Sequence, residues 1–303
     1  MASTESAYLR ELYQSWAERM AADPEMDLPT LRNLFEEWHQ PTVEPENVSY
    51  AEVDADGVPA VWCIPHGAAA DRVVLYTHGG GFVVGSRHTH RKLAGHLATA
   101  IGCRALVIDY RRAPEHPFPA QLDDAVTVYR WLLGRGVPAG HIVTSGDSAG
   151  GNLAISLALK LRDDGDPLPA ALLPMSPWLD MEHKGETLET NAGTDALVQR
   201  PILEGMSGMF LGPDGSPLDP LANPLHSDPA GLPPIFMNAG GAETLLDDAR
   251  RFAESARRAG VDVTLDVVPE MQHVFPFLAG RAPEADRAIA EMAAWVRPKL
   301  GLV

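Results

Sequence analysis

Thr144-Ser145-Gly146-Asp147-Ser148-Ala149-Gly150-Gly151 sets a serine between glycines in the spacing Gly-x-Ser-x-Gly. A serine hydroxyl is a weak nucleophile until a base reaches it. That spacing suits a sharp strand-to-helix turn that lifts the hydroxyl clear of the backbone. Both arms of such a turn are present. His141–Thr144 is a short β-like run, and Leu153, Ala154, Leu157, Ala158 and Leu161 recur at helical spacing behind it. A second stretch, His78-Gly79-Gly80-Gly81, follows the apolar run Val73–Tyr76. Glycines after a strand bring backbone N–H groups close to a reacting oxygen, with no Cβ in the way. Such donors stabilise the negative oxygen of a tetrahedral intermediate. Phosphate-loop spacings of the Gly-x-x-x-x-Gly-Lys or Gly-x-Gly-x-x-Gly kind are absent at this point. A serine nucleophile and a row of amide donors point to acyl transfer.

Between these stretches lies Asp109-Tyr110-Arg111-Arg112-Ala113-Pro114-Glu115-His116-Pro117. The three motifs in this order resemble the hormone-sensitive-lipase family of α/β-hydrolases, and within it the bacterial carboxylesterases. The likeness runs from about the first strand pair to the C-terminus, while the N-terminal helices are similar only in kind. Arg112 departs from the pattern, since the family usually has an apolar residue there. Glu115 and His116 belong to the Pro-rich turn and are expected to support it. The resemblance implies an α/β-hydrolase fold: a mostly parallel central sheet with helices on both faces and a helical cap.

It also implies the chain order Ser, then Asp or Glu, then His. Only His183, His226 and His273 follow Ser148. The first two fall in an irregular segment. His273 lies in Pro269–Phe275, just after the last expected strand, and is the expected base. The acid must come from the loop after Ile235–Asn238, where Glu243, Asp247 and Asp248 compete. Aligned on the family pattern, Glu243 takes the catalytic position and Asp247 a supporting one. The oxyanion donors are expected to be Gly79, Gly80 and Ala149, with Gly81 as the alternative to either glycine. Asp147 reads as a structural hydrogen-bonding residue. His88, His90 and His96 lack the clustered partners of a metal site, and no metal or cofactor is expected.

The 303 residues are ample for a sizeable core, and 45% hydrophobic with 21% charged content suits a globular chain. The net charge of −17 repels nucleic acid and anionic lipid headgroups. The expected partner is therefore a small ester, with no nucleic acid and no stable membrane association; a homodimer is compatible. Cys63 and Cys103 sit in apolar runs and read as buried free thiols. The first residues lack a basic region followed by an apolar core, and no apolar run has membrane-span length, so the chain reads as cytoplasmic.

The elements that must hold these groups follow from periodicity. Tyr8, Leu9, Leu12, Tyr13, Trp16 and Met20 share a helix face starting near Ser3 or Thr4. A second helix is expected over Thr30–His39, ending before Pro41. Val48–Val53 and Val58–Ile64 flank a turn and read as a hairpin. Strands and helices then alternate, which predicts a parallel sheet. Between Ser176 and Pro234 the alternation breaks, apart from a helix at Pro201–Phe210. The expected organisation is an N-terminal part of a cap over 1–45, a catalytic domain over 46–180 and 215–303, and the rest of the cap over 181–214. Phe82, Leu203, Met206, Met209, Phe210 and Val274 are expected to contact substrate. The reading is a serine carboxylesterase for short to medium acyl esters, with Ser148, His273 and Glu243 as its triad. A lactonase, deacetylase or small amidase would use the same groups. A non-catalytic small-molecule receptor would sooner lack one of them.

Overall fold

The computed structural model describes residues 2–303. Two helices come first, α1 (Ala7–Ala22) and α2 (Leu28–Phe35), followed by a tight 3-10 turn at Glu36–His39. The core then runs β1 (Val48–Ala55), β2 (Val58–Pro65), β3 (Ala69–Thr77), α3 (Arg87–Ile101), β4 (Cys103–Ile108), α4 (Ala120–Gly134), β5 (Ile142–Asp147), α5 (Ala149–Asp164) and β6 (Ala171–Met175). After a long excursion that holds α6 (Thr187–Thr190) and α7 (Arg200–Leu211), it resumes with β7 (Ile235–Gly240), α8 (Leu246–Arg258), β8 (Val263–Val268) and α9 (Pro283–Val296). The eight strands form one sheet in the order β1-β2-β4-β3-β5-β6-β7-β8. β1, β2 and β4 pair antiparallel, and every later pairing is parallel. This is the α/β-hydrolase architecture expected from the motifs.

Parallel strands covered on both faces should be apolar throughout. β5 is buried at every position, and β3 over its last five. These two central strands end in the two glycine motifs, so both motifs emerge side by side at the carboxyl edge of the sheet. Ligand sites of open α/β sheets are built at that edge.

The N-terminal helices differ from expectation at their ends. Around Ser3–Ser6 the chain makes i→i+3 turns, and the regular helix begins at Ala7. Ser3 Oγ donates to Glu284 on α9 at 2.7 Å, which ties the entry of α1 to the far end of the chain. α2 starts earlier than Thr30, because Asp27 caps it by accepting the Thr30 N–H at 2.9 Å. Its last turn tightens to 3-10 geometry ahead of Pro41. Leu9, Tyr13 and Trp16 are buried on one face of α1, and Trp16, Phe35 and Trp38 form an edge-packed aromatic cluster. Trp38 stacks on Phe277 in the C-terminal part of the chain. Cys63 and Cys103 are buried free thiols, as their apolar surroundings suggest.

Candidate active site

The turn after β5 is sharp. Ser148 has φ 53° and ψ −120°, a conformation that side chains rarely adopt, and α5 starts at the next residue. Packing explains both glycines around it. A Cβ on Gly150 would lie 2.0 Å from Thr77 O, and one on Gly146 would lie 2.4 Å from the same atom. Hydrogen bonds hold the serine backbone from two sides. Its N–H donates to Met175 O at 2.9 Å, and its carbonyl accepts from Trp178 N at 3.0 Å.

Asp147, just before the serine, is buried and organises the glycine loop. Its Oδ1 accepts from Tyr76 Oη at 2.7 Å and from Gly79 N at 3.2 Å, and Oδ2 stands 3.2 Å from His90 Nε2. Burial alone would raise its pKa. The neighbouring His90 and the His90 and Tyr76 hydrogen bonds outweigh that and hold it below the ordinary value, so it stays a carboxylate. His78 stacks on Tyr110, and burial together with His90 lowers it to about 4, so the ring is neutral.

This network engages one of the glycine amides expected as oxyanion donors. The Gly79 N–H points back to Asp147 and His90 and is not free for a ligand. Gly80 and Gly81 turn outward at φ 110° and 60°, and their N–H groups have no acceptor within the described residues. Both glycines border the same cavity as Ser148. Ala149 N–H opens α5, where the helix supplies no acceptor.

The cavity measures about 40 Å³ and is lined by Phe35, Trp38, Gly80, Gly81, Ser148, Trp178, Leu197, Val198, Ile202, Leu203, Met206 and His273. Its lining is mostly apolar, with Ser148 and His273 as its polar side chains. Leu203 and Met206, expected to contact substrate, are among the lining residues. Met206 packs on Gly81 so closely that a Cβ there would stand 2.0 Å from Sδ.

Four other expected contacts lie outside the cavity. Met209 and Phe210 sit one turn further along α7, beyond its wall. Phe210 stacks on Phe82 at 3.8 Å, and this buried pair supports the loop from beneath. Val274 is buried at φ 50°, with its N–H bonded to Ser176 Oγ at 3.0 Å. Phe35, Trp38, Leu197, Val198 and Ile202 fall in stretches expected to form the cap, but they and Trp178 are not singled out as wall residues by the sequence. Their helical or loop spacing equals that of ordinary core.

His273 follows β8 and is 2% exposed; Glu243 follows β7 and is fully buried. His273 Nδ1 stands 3.5 Å from Glu243 Oε2, slightly beyond hydrogen-bond length. Ser176 Oγ donates to the same Oε2 at 2.6 Å. Burial pulls the His273 pKa down, but Glu243, with Asp195 and Asp147 behind it, outweighs burial and raises it above the ordinary value. From the N-terminal side, Tyr13 Oη donates to His273 O at 3.1 Å.

Neither competing carboxylate reaches the histidine. Asp247 accepts from Glu186 N at 3.1 Å, and Asp248 from Leu179 N and Asp180 N at 2.8 and 2.9 Å. The other two candidate histidines stay in the excursion, His226 paired with Glu182 and His183 stacked on Trp178. His96 bonds Val43 O, and His90 is taken up by Asp147 and Thr89. Among the described residues no group of three His, Cys, Asp or Glu side chains is placed to hold a metal ion, and no helix is long and apolar enough to cross a membrane.

Residues 74–277 match the family model described as the alpha/beta hydrolase fold. An acetyl-hydrolase of Streptomyces hygroscopicus is 40% identical over 300 residues, covering 92% of this chain and 98% of the relative. An esterase of Acinetobacter venetianus is 36% identical, covering 88% and 85%. A crystal structure of an esterase from the bacterial hormone-sensitive lipase family superposes with a TM-score of 0.94 at 41% identity, over 99% of this chain and all of that one.

Proposed function

Because this chain belongs to the bacterial hormone-sensitive-lipase family of α/β-hydrolases and is an esterase, we propose that it cleaves short to medium acyl esters by a Ser148–His273–Glu243 triad through an acyl-enzyme. Ser148 Oγ attacks the ester carbonyl carbon while His273 takes its proton. Glu243 orients the imidazole and stabilises its positive charge. The carbonyl oxygen, now negative, receives the N–H groups of Gly80, Gly81 and Ala149. The carbonyl re-forms, the alcohol leaves with the proton from His273, and a water activated by the same histidine releases the acid.

One observation carries this reading: nucleophile, base and unpaired amides border a single small apolar cavity, with a buried carboxylate behind the base. The cavity size supports the short end of the acyl range. At roughly 10–15 Å³ for each water accommodated, about 40 Å³ holds an acyl group of only a few carbons. That agrees with the name of the Streptomyces relative, an acetyl-hydrolase. We further assign 1–45 and 181–214 to one cap, since residues of both stretches wall the cavity.

The test is turnover of nitrophenyl esters of rising acyl length, with a lactone panel beside it, for the native chain and Ser148→Ala. Ester turnover is expected to be highest at acetate to butyrate, and Ser148→Ala to lose roughly 10⁶-fold at unchanged Tm. A Ser148→Ala variant that keeps more than about a tenth of the rate, or lactones turned over faster than every ester, would overturn it.

A further inference from the structure

The loops carrying Glu243 and His273 are both tied to one short stretch of the cap, residues 191–198. Asp195 is its centre. It is 5% exposed, and its Oδ1 accepts the N–H groups of Leu197 and Val198 at 3.0 and 2.8 Å. Its Oδ2 accepts the N–H and the hydroxyl of Thr244 at 2.8 and 3.1 Å. Thr244 directly follows Glu243, and Leu197 and Val198 wall the cavity. The same stretch grips the other loop. Gln272, directly before His273, accepts from Ala196 N at 2.8 Å and donates to Thr194 O at 2.9 Å. Asn191 Nδ2 donates to Glu243 O at 2.8 Å.

We propose that Asp195 is a positioning residue for ester hydrolysis, fixing the Glu243 loop and the cavity wall in one register so that the cap itself sets the distance between acid and base. The proposal rests on the triad reading above. Charge-assisted bonds from three backbone N–H groups, with the Thr244 hydroxyl between Asp195 and Val198 O, make the carboxylate a stiff joint. The Glu243–His273 gap of 3.5 Å is where small displacements matter, because a shift of either loop makes or breaks that bond. An acyl group pressing on Leu197 and Val198 acts on the same joint. Asparagine at 195 would keep one accepting oxygen and turn the other into a donor aimed at an N–H, opening one side of it.

The groups that act on His273 are Glu243, Asp195 and Asp147, with the Tyr13 hydroxyl on its carbonyl. Asp195→Asn therefore removes a negative charge that holds the imidazole up, and the acid limb of kcat/KM is expected to move to lower pH. Turnover of a butyrate ester is expected to fall by about 10- to 100-fold, with KM changing less than kcat, at assay temperatures where circular dichroism shows a folded chain. Thr244→Val, a milder break of the same joint, is expected to lower kcat in the same direction by less. In the Asp195→Asn/Glu243→Gln double variant the rate is expected to match Glu243→Gln alone, because Asp195 acts through that pair. An unmoved acid limb with wild-type kcat in Asp195→Asn, or multiplicative losses in the double variant, would overturn the proposal. Full turnover in Glu243→Gln would instead sink the triad reading, so the two failures are distinguishable.

Discussion

Behind Ser148 stand two buried side chains, His273 and Glu243. Glu243 is sealed from solvent, receives the Ser176 hydroxyl, and raises the pKa of His273 against the effect of burial. A histidine must be neutral to act as a base, so activity rises as pH climbs through its pKa. With that pKa raised, the acid limb of kcat/KM should lie above that of an ordinary histidine. In Glu243→Gln it should move to lower pH and the rate should fall by orders of magnitude, since an amide cannot support the imidazolium. Asp247→Asn provides the contrast. Asp247 holds only the Glu186 N–H at the start of α8, so its loss should cost about 1 kcal/mol or less of stability. Both variants assayed side by side on a butyrate ester decide the matter, and a larger rate loss in Asp247→Asn would move the acid there.

Elements position these residues in two ways, and only one was readable in advance. The elbow and the glycine loop follow from local rules: strand, glycine, serine, glycine, helix. The strands that carry Glu243 and His273 were visible as short β-rich runs, and their carboxyl ends fixed which loops matter. That the Gly79 N–H is taken was not visible, because Asp147 and His90 capture it across 68 and 11 positions. The cavity wall was equally hidden, because residues 191–198 are irregular backbone whose hydrogen bonds go to side chains such as Asp195 and Gln272 rather than to a ladder. The helix α8 adds a titratable support elsewhere, under the backbone at Leu179 and Asp180. Burial, and secondarily the charge of Asp180, raises Asp248 to about 7 despite the two N–H bonds it accepts. Its folded pKa thus exceeds the ordinary 3.8, so its contribution to stability is complete below that value and is lost as pH rises through about 7. Asp248→Asn keeps an accepting oxygen and cannot ionise. Its Tm should drop less between pH 5 and pH 8 than that of the native chain, by a few degrees at roughly 2–4 °C per kcal/mol. Parallel Tm curves for the two chains would remove Asp248 from the account.

At the scale of the whole molecule, a surface of net charge −17 surrounds a narrow apolar cleft. Large exposed apolar side chains among the described residues are the scattered Val43, Leu218 and Val303. Scattered single residues make no lipid-binding face. Emulsified long-chain triglyceride should therefore turn over more slowly than a butyrate ester in solution, and the reverse order on a pH-stat would contradict this picture. The bond from Tyr13 to the backbone of His273 spans 260 positions, and it has a consequence for how the protein is made. At ~5–20 residues per second on the ribosome, the first helix waits roughly 13–50 s for the loop it braces. Through that interval Tyr13 lacks His273 and the Trp16–Phe35–Trp38 cluster lacks Phe277, so the nascent chain carries an apolar face only partly covered. A stalled nascent chain ending at residue 265 should be cut by protease within α1, whereas the released protein should resist there; equal resistance in both would mean that α1 finds another shelter first. The helix that carries Tyr13 is thus made long before the loop it braces, and the brace on His273 can close only after that residue has been added.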